Sequence, residues 1–271
     1  MRLPAGHFYG SLRRRRDVSG FVLVEKLHSP DETLLPHSHE CAYLSFVLTG
    51  RYTERCGSSV RDCYPGSLAF HPEGEIHSDR FHAAGGRLFA LQLTPSSSDR
   101  LRRAGVAVDR GGTVTGGLAL RLAIRLYDEF RACDAASAIS IEGLTLELLA
   151  ELSRDPASPP AGPSRGWLEE ASDFIERHFT ESMSLAVVAG HVGVHPVHLA
   201  REFRKKHRCT IGDYIRRLRV DRARRQLTRT DERITTIALD SGFADHSHLS
   251  RTFKSSTGLS PTEFRRRFRP H

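Results

Sequence analysis

The sequence predicts a multi-domain α+β protein: a strand-rich N-terminal part with a helical extension, then an all-α C-terminal part. Three observations predict it. Between residues 20 and 95, short apolar segments alternate with turn residues; 118–131 and 139–153 carry apolar residues at helical spacing; the last hundred residues repeat one helix-turn-helix pattern. At 271 residues the chain is long enough for two domains with cores of their own. The expected division is a strand-rich domain over 1–110, a helical region over 111–155, a Pro/Gly/Ser-rich linker over 156–166 and a helical domain over 167–271.

The strand expectation rests on Phe21-Val22-Leu23-Val24, Tyr43 to Leu48, Ser67 to Phe70 and Arg87 to Leu93. Many short strands at near-even spacing predict a barrel or sandwich. The helices follow around Leu118 to Arg131 and Ile139 to Ser153; in the second, Ile141, Leu144, Thr145, Leu148 and Leu152 form one stripe.

No apolar run approaches the roughly 20 residues that a membrane helix needs. After the basic run Arg13 to Arg16, the apolar stretch Phe21 to Val24 is too short for a signal-peptide core. The expectation is a cytoplasmic protein with no membrane partner. Cys41, Cys56, Cys63, Cys133 and Cys209 are scattered without a C-x-x-C pair, which predicts free thiols rather than a disulfide framework.

Charge separates the two halves. Residues 1–164 balance 19 Lys and Arg against 19 Asp and Glu, whereas 165–271 hold 21 against 13, so the whole excess of +8 lies in the last part. A domain that meets a polyanion is expected to look like this; a solvated basic surface is the plainer alternative.

The repeat weighs between them. Leu185, Val188, Ala189, Gly193 and Val194 fall on Ile234, Ile237, Ala238, Gly242 and Phe243 at an offset of 49. After one inserted residue, Leu199, Arg201, Phe203, Thr210 and Tyr214 fall on Leu249, Arg251, Phe253, Ser260 and Phe264 at an offset of 50. In each copy the first helix starts a buried stripe, capped in the first by Ser184, and a glycine makes the turn. The second helix buries Leu199 and Phe203, or Leu249 and Phe253. Its outward residues are Val197, His198, Arg201, Arg204 and Lys205 in the first copy, and Ser247, His248, Arg251 and Lys254 in the second. Ser260-Pro261-Thr262-Glu263 forms a capping box for a last helix with Phe264 and Phe268. Ile211 to Leu227 is a helical spacer dense in arginine.

A helix of this kind fits the major groove of double-stranded DNA, about 12 Å wide, where Arg pairs with the O6/N7 edge of guanine. Arg201 and Arg251 are the expected base readers. Arg204, Lys205, Lys206, Lys254, Arg216 and Arg217 are expected on phosphates. Surface arginines on a bundle are the bland alternative, and two copies with Arg at the same outward position weigh against it.

The stretch Gly242-Phe243-Ala244-Asp245-His246-Ser247-His248-Leu249-Ser250-Arg251-Thr252-Phe253-Lys254, then Thr257-Gly258-Leu259-Ser260-Pro261 and Phe264-Arg265, resembles the C-terminal signature of the AraC/XylS family of bacterial transcription regulators. The resemblance implies one chain that places two recognition helices in successive major-groove segments of one DNA face, with RNA polymerase as a partner. The chain departs from the pattern at Pro196-Val197, where bulkier or polar side chains are frequent; Pro in a first helical turn is tolerated.

Upstream, Pro36-His37-Ser38-His39-Glu40 with Gly50, and Gly66 followed by Pro72-Glu73-Gly74-Glu75-Ile76-His77, resemble the two cupin motifs, and AraC-type regulators frequently carry a cupin-like sensor. The implied N-terminal fold is a cupin-like β-barrel. His37, His39 and His77 fall where cupin metal ligands lie, so a divalent metal such as zinc, iron or nickel is one expectation. The carboxylate of that pattern is absent: Tyr43 and Leu44 hold its place, and Glu40 is too close along the strand. An effector pocket without metal is the other expectation. The resemblance also implies a homodimer contact through 111–155; simple packing on the barrel is the alternative.

Taken together these readings predict a sequence-specific DNA-binding transcription regulator, not an enzyme, that couples a small-molecule effector to DNA binding. A metal-dependent cupin enzyme fused to a DNA-binding domain is the alternative.

Overall fold

A computed structural model describes residues 1–154 and 166–269. They fall into two compact units, 1–154 together with 268–269, and 166–267. The expected linker 156–166 lies outside the described residues except for Gly166, which opens a helix.

The first unit is a nine-stranded mixed sheet: β1 (Arg2–Leu3), β2 (Ser11–Val18), β3 (Phe21–His28), β4 (Thr33–His39), β5 (Tyr43–Cys56), β6 (Ser59–Cys63), β7 (Leu68–His71), β8 (His77–Leu93) and β9 (Gly112–Val114). β1 runs parallel to β4, and the other pairings are antiparallel. The spine is the pair β5 and β8, matched from Tyr43 opposite Gln92 to Cys56 opposite His77. One edge of β8 is shared by β4 near His77 and β3 near Leu93, which lets one long strand belong to two parts of a curled, barrel-like sheet. The two strands cross at glycine because nothing larger fits. A Cβ on Gly50 would lie 2.1 Å from the carbonyl oxygen of Gly85.

The expected strands are present, three of them longer and that at Ser67 to Phe70 shifted to Leu68–His71. β5 runs on to Cys56 and β8 starts at His77, ten residues before Arg87. The basic run Arg13 to Arg16 lies in β2, an edge strand paired only with β3. Charged side chains there discourage pairing with another chain. Gly112–Val114 pairs with β7, so the sheet extends past residue 110 into the region expected to be helical. The first half of β5 lacks the alternation of a half-exposed strand because both faces are covered. On the outer side, Phe89 of β8 meets Tyr127 and Phe130, at 5.4 and 5.0 Å between ring centres.

Those two rings belong to α2 (Gly117–Ala132), which follows the short α1 (Pro95–Arg103) and packs on α3 (Ser137–Arg154). α1 is capped by the Thr94 hydroxyl, which accepts from the Ser97 N–H. The buried face of α3 is Ile141, Leu144, Thr145 and Leu148 with Leu149; Leu152, expected on that face, is only half-buried.

The second unit is all helix: α4 (Gly166–His178), α5 (Leu185–His191), α6 (Pro196–His207), α7 (Ile211–Arg229), α8 (Ile234–Asp240), α9 (His246–Thr257) and α10 (Pro261–Phe268). Leu168, Ala171, Ile175, Val188, Leu199, Phe203, Ile211 and Ile215 form the core of its first half. Ile237, Leu249, Phe253 and Phe264 are fully buried in its second. Burial of the Leu, Ile, Val and Phe side chains among these contributes roughly 1.5–3 kcal/mol each, so the stripe residues of the repeat hold both halves. The caps follow the sequence. Ser184 accepts from the Val187 N–H, Thr210 and Asp213 form a reciprocal box at α7, and Ser260 with Glu263 does the same at α10.

Candidate functional site

Two arrangements of side chains stand out, one in each unit. In the second unit, α5–α6 and α8–α9 are helix-turn-helix pairs with Gly193 (φ 66°) and Gly242 (φ 83°) in the turns. Leu199 and Phe203 anchor α6 from below, and the opposite face carries Val197, Arg201, Arg204 and Lys205 into solvent. Ser247, Arg251 and Lys254 are exposed on α9 in the same way, above Leu249 and Phe253. His198 and His248 are half-buried beside these faces: His198 against Trp167 (5.4 Å), His248 against Phe243 (5.2 Å).

The two faces are prepared differently. On α6 the Arg201 guanidinium is held by Glu202 (3.2 Å) and by Nδ1 of His198 (3.2 Å). A DNA base must therefore compete with an acidic neighbour for it. On α9, Asp245 is the N-cap and accepts the His248 N–H at 2.7 Å, which holds its carboxyl below the usual range. Its short side chain ends the turn and starts the helix at the residues that face outward.

The arginines of α7 are not one basic face. Arg224 is fully buried, bonded to Asp221 (3.0 Å) with its guanidinium 5.6 Å from the ring centre of Phe264. Arg219 donates to the backbone carbonyls of Phe179 and Glu181. Arg216 pairs with Asp213 of the capping box, and Arg217 lies 5.1 Å from the Tyr214 ring centre. Sequence spacing showed arginine density but not this structural use, because α7 buries residues on more than one of its faces.

In the first unit the structure brings His37, His39 and His77 together, with donor nitrogens within 4.8 Å of one another. His37 and His39 alternate along β4 and so share a face; β8 starts at His77, directly paired with His37. Ring centres lie 5.4 Å apart for His37 and His39, 4.3 Å for His37 and His77, and 5.6 Å for His39 and His77. His37 donates from Nδ1 to the Leu35 carbonyl (2.9 Å) and His77 from Nδ1 to the Glu75 carbonyl (3.1 Å), which leaves Nε2 of each with its lone pair. Histidines that ligate metals are oriented in this way. Nδ1 of His39 is buried without a hydrogen-bond partner. Burial holds His39 down at about 2, with Lys26 and the other histidines adding to it, and His77 at about 3, with His71 and His37 adding to it, so both rings are neutral, as metal ligands must be. The donor set therefore fits a divalent metal that displaces the Tyr43 hydroxyl from Nε2 of His77.

Tyr43 stands where the cupin pattern has its carboxylate. Its hydroxyl is 2.9 Å from Nε2 of His77. Phe8 and Tyr9 pack over the group from the N-terminal segment, Phe8 5.6 Å from His39 and Tyr9 4.8 Å from His37. Deeper still, His71 lies between Glu54 (3.1 Å) and Glu75 (3.0 Å), with Arg61 paired to Glu54. Lys26 is buried and Asp79 half-buried nearby, and desolvation lowers the amine and raises the carboxyl. Sequence reading missed His71, Glu54, Asp79 and Lys26. Their signal was polar residues at inward positions of otherwise apolar strands.

Residues 188–267 match the family model described as a helix-turn-helix domain. Over 98 residues the chain is 35% identical to an uncharacterized HTH-type transcriptional regulator of Staphylococcus aureus (strain COL), covering 36% of this chain and 13% of that protein. It is 32% identical over 103 residues to the bifunctional transcriptional activator/DNA repair enzyme AdaA of Bacillus subtilis (strain 168), covering 38% of this chain and 49% of that one. Among solved structures, a transcriptional regulator from Chromobacterium violaceum described by its AraC-type DNA-binding domain is 31% identical, with 40% of this chain and 96% of that chain covered and a TM-score of 0.37. The chain thus spans less than half the length of these two curated relatives. Its C-terminal part, over residues 188–267, is an AraC-type helix-turn-helix DNA-binding domain. No helix among the described residues is long and apolar enough to cross a membrane.

Proposed function

We propose that this chain regulates transcription by binding specific DNA sequences through α6 and α9, under the control of a signal received by the strand-rich unit. The observation that carries the reading is the pair of exposed arginines, Arg201 and Arg251, at the same outward position of two second helices. Arg at such positions reads guanine, while Arg204, Lys205 and Lys254 beside them meet phosphates. The protein acts in the cytoplasm as a regulator and not as an enzyme, with RNA polymerase as its partner at the promoter. Ile139, 80% exposed on α3, supports a homodimer contact through the helical region.

The histidine cluster is the sensing element in this reading. Support for a divalent metal comes from two imidazoles oriented by carbonyls and a third whose buried Nδ1 lacks a partner. His37, His39 and His77 would hold the ion, which would supply a Lewis-acidic point for a small-molecule effector. An effector changes DNA affinity only by binding two conformations or assembly states differently.

The test is binding of the full chain to its own upstream DNA and to random DNA at physiological salt. A clear preference for the upstream sequence is expected; equal affinity would overturn the reading. Metal analysis of the purified protein, with and without His37→Ala, tests the sensing element separately.

A further inference from the structure

The two recognition helices differ at one pair of equivalent positions. In α9 the residue four before Arg251 is Ser247, a hydroxyl that donates or accepts with any base pair. In α6 the residue four before Arg201 is Val197, whose side chain stands 70% exposed on a face otherwise made of charged and polar groups. Its backbone N–H is tied to Nδ1 of the capping His195 at 3.3 Å, with Pro196 in the first turn. Backbone and β-branching together leave the isopropyl group little freedom to turn away. The N-terminal end of a recognition helix is the end that meets base edges.

An apolar group held there gains nothing from phosphates, sugars or the hydrogen-bonding edges of bases. The apolar group that the major groove offers is a methyl on C5 of a pyrimidine, carried by thymine and, in modified DNA, by 5-methylcytosine. Four residues of helix rise about 6 Å, so a methyl under Val197 and a guanine under Arg201 lie within about two base steps of 3.4 Å.

Resting on the regulator reading above, we infer that Val197 reads a pyrimidine C5-methyl group beside the guanine read by Arg201. The half-site bound by α6 is then specified at two neighbouring pairs, one by apolar contact and one by hydrogen bonds. The half-site bound by α9 is specified chiefly through Arg251. One chain thus presents two unlike reading faces, which call for two unlike half-sites in the DNA.

The experiment selects bound duplexes from a random-sequence pool with the full chain, then replaces each thymine of the selected duplex in turn by deoxyuridine, which removes only the methyl. The wild type is expected to lose about fourfold in affinity at one position, the worth of one buried methyl. Val197→Ala, a change at an exposed site, is expected to bind the thymine and uracil duplexes equally. A parallel selection from a pool made with 5-methylcytosine separates the two sources. Thymine retained at that position in both pools assigns the methyl to thymine, and 5-methylcytosine accepted there assigns it to either base. Uracil tolerated at every position by the wild type, or an equal uracil penalty in Val197→Ala, overturns the inference while leaving sequence-specific binding intact. A pool that never enriches overturns the regulator reading, and this inference with it.

Discussion

The Tyr43 hydroxyl lies 2.9 Å from Nε2 of His77, and because His77 already donates from Nδ1 to the Glu75 carbonyl, the phenol is the donor in this bond. A tyrosine thus occupies the lone pair that a metal at the three histidines would use.

The first prediction concerns that bond. Tyr43→Phe removes the donor and leaves Nε2 of His77 buried without a partner, which costs about 1–3 kcal/mol. Denaturant unfolding of the metal-free variant is expected to show that loss. With zinc present the loss is expected to be recovered, because the freed lone pair then has a ligand to bind. A variant as stable as wild type without metal would show that the bond contributes nothing.

Acid should act on the two units at different pH. Burial lowers His28, His37, His39, His71 and His77 in the first unit, to about 2 for His28 and His39, 3 for His77 and 4 for His71; the second unit has such a shift at His207, to about 4. The unfolded chain binds protons at these rings near pH 6.5, where the folded chain does not, so this stability is intact above 6.5 and falls as pH drops from there. In the second unit the capping carboxyls Asp213 and Glu263 are held low by hydrogen bonds, and their contribution is lost only below their ordinary 3.8 and 4.5. Hydrogen exchange of the metal-free protein at pH 7.5 and 5.5 is expected to show protection lost first in residues 1–154.

The arginines and lysines of the recognition helices should separate by role. Arg251→Ala is expected to cost about 1–3 kcal/mol of binding and to relax preference at one base pair. Lys205→Ala is expected to weaken all sequences alike and to reduce the salt slope by about 1. Titrations at several salt concentrations on matched and mismatched duplexes make the comparison.

The two turn glycines are equivalent in the repeat but not in their surroundings. A Cβ on Gly193 meets nothing within 4 Å, so Gly193→Ala is expected to cost only the left-handed backbone, about 1–2 kcal/mol. A Cβ on Gly242 would lie 2.7 Å from both Cα and O of Thr180, and backbone cannot swing aside. Gly242→Ala is expected to destabilise the second unit by clearly more, measured by thermal unfolding of the two variants side by side.

By itself the sequence determined the helical unit almost completely. Its signals are local: a stripe at i, i+3 and i+4, a cap, a turn glycine and a capping box all act within a dozen residues, and the repeat states them twice. Leu199, Phe203, Leu249 and Phe253 are accordingly buried, and Arg201 and Arg251 exposed. His37 and His39 were legible too, since strand alternation puts both on one face.

Tertiary structure decided what depends on partners distant in the chain. Only the pairing of β8 with β4 and β5 brings His77 to His37 and puts Tyr43 on its nitrogen. Only packing shows that Arg224 belongs to the core, that the Arg13 to Arg16 run is an edge strand, and that Glu54 and His71 meet inside the sheet. Helix signals are carried by neighbours in sequence, while sheet pairing and buried charge are settled by which strands close against each other. A chain with one unit of each kind is therefore read clearly in its helical unit and only in outline in its strand-rich unit.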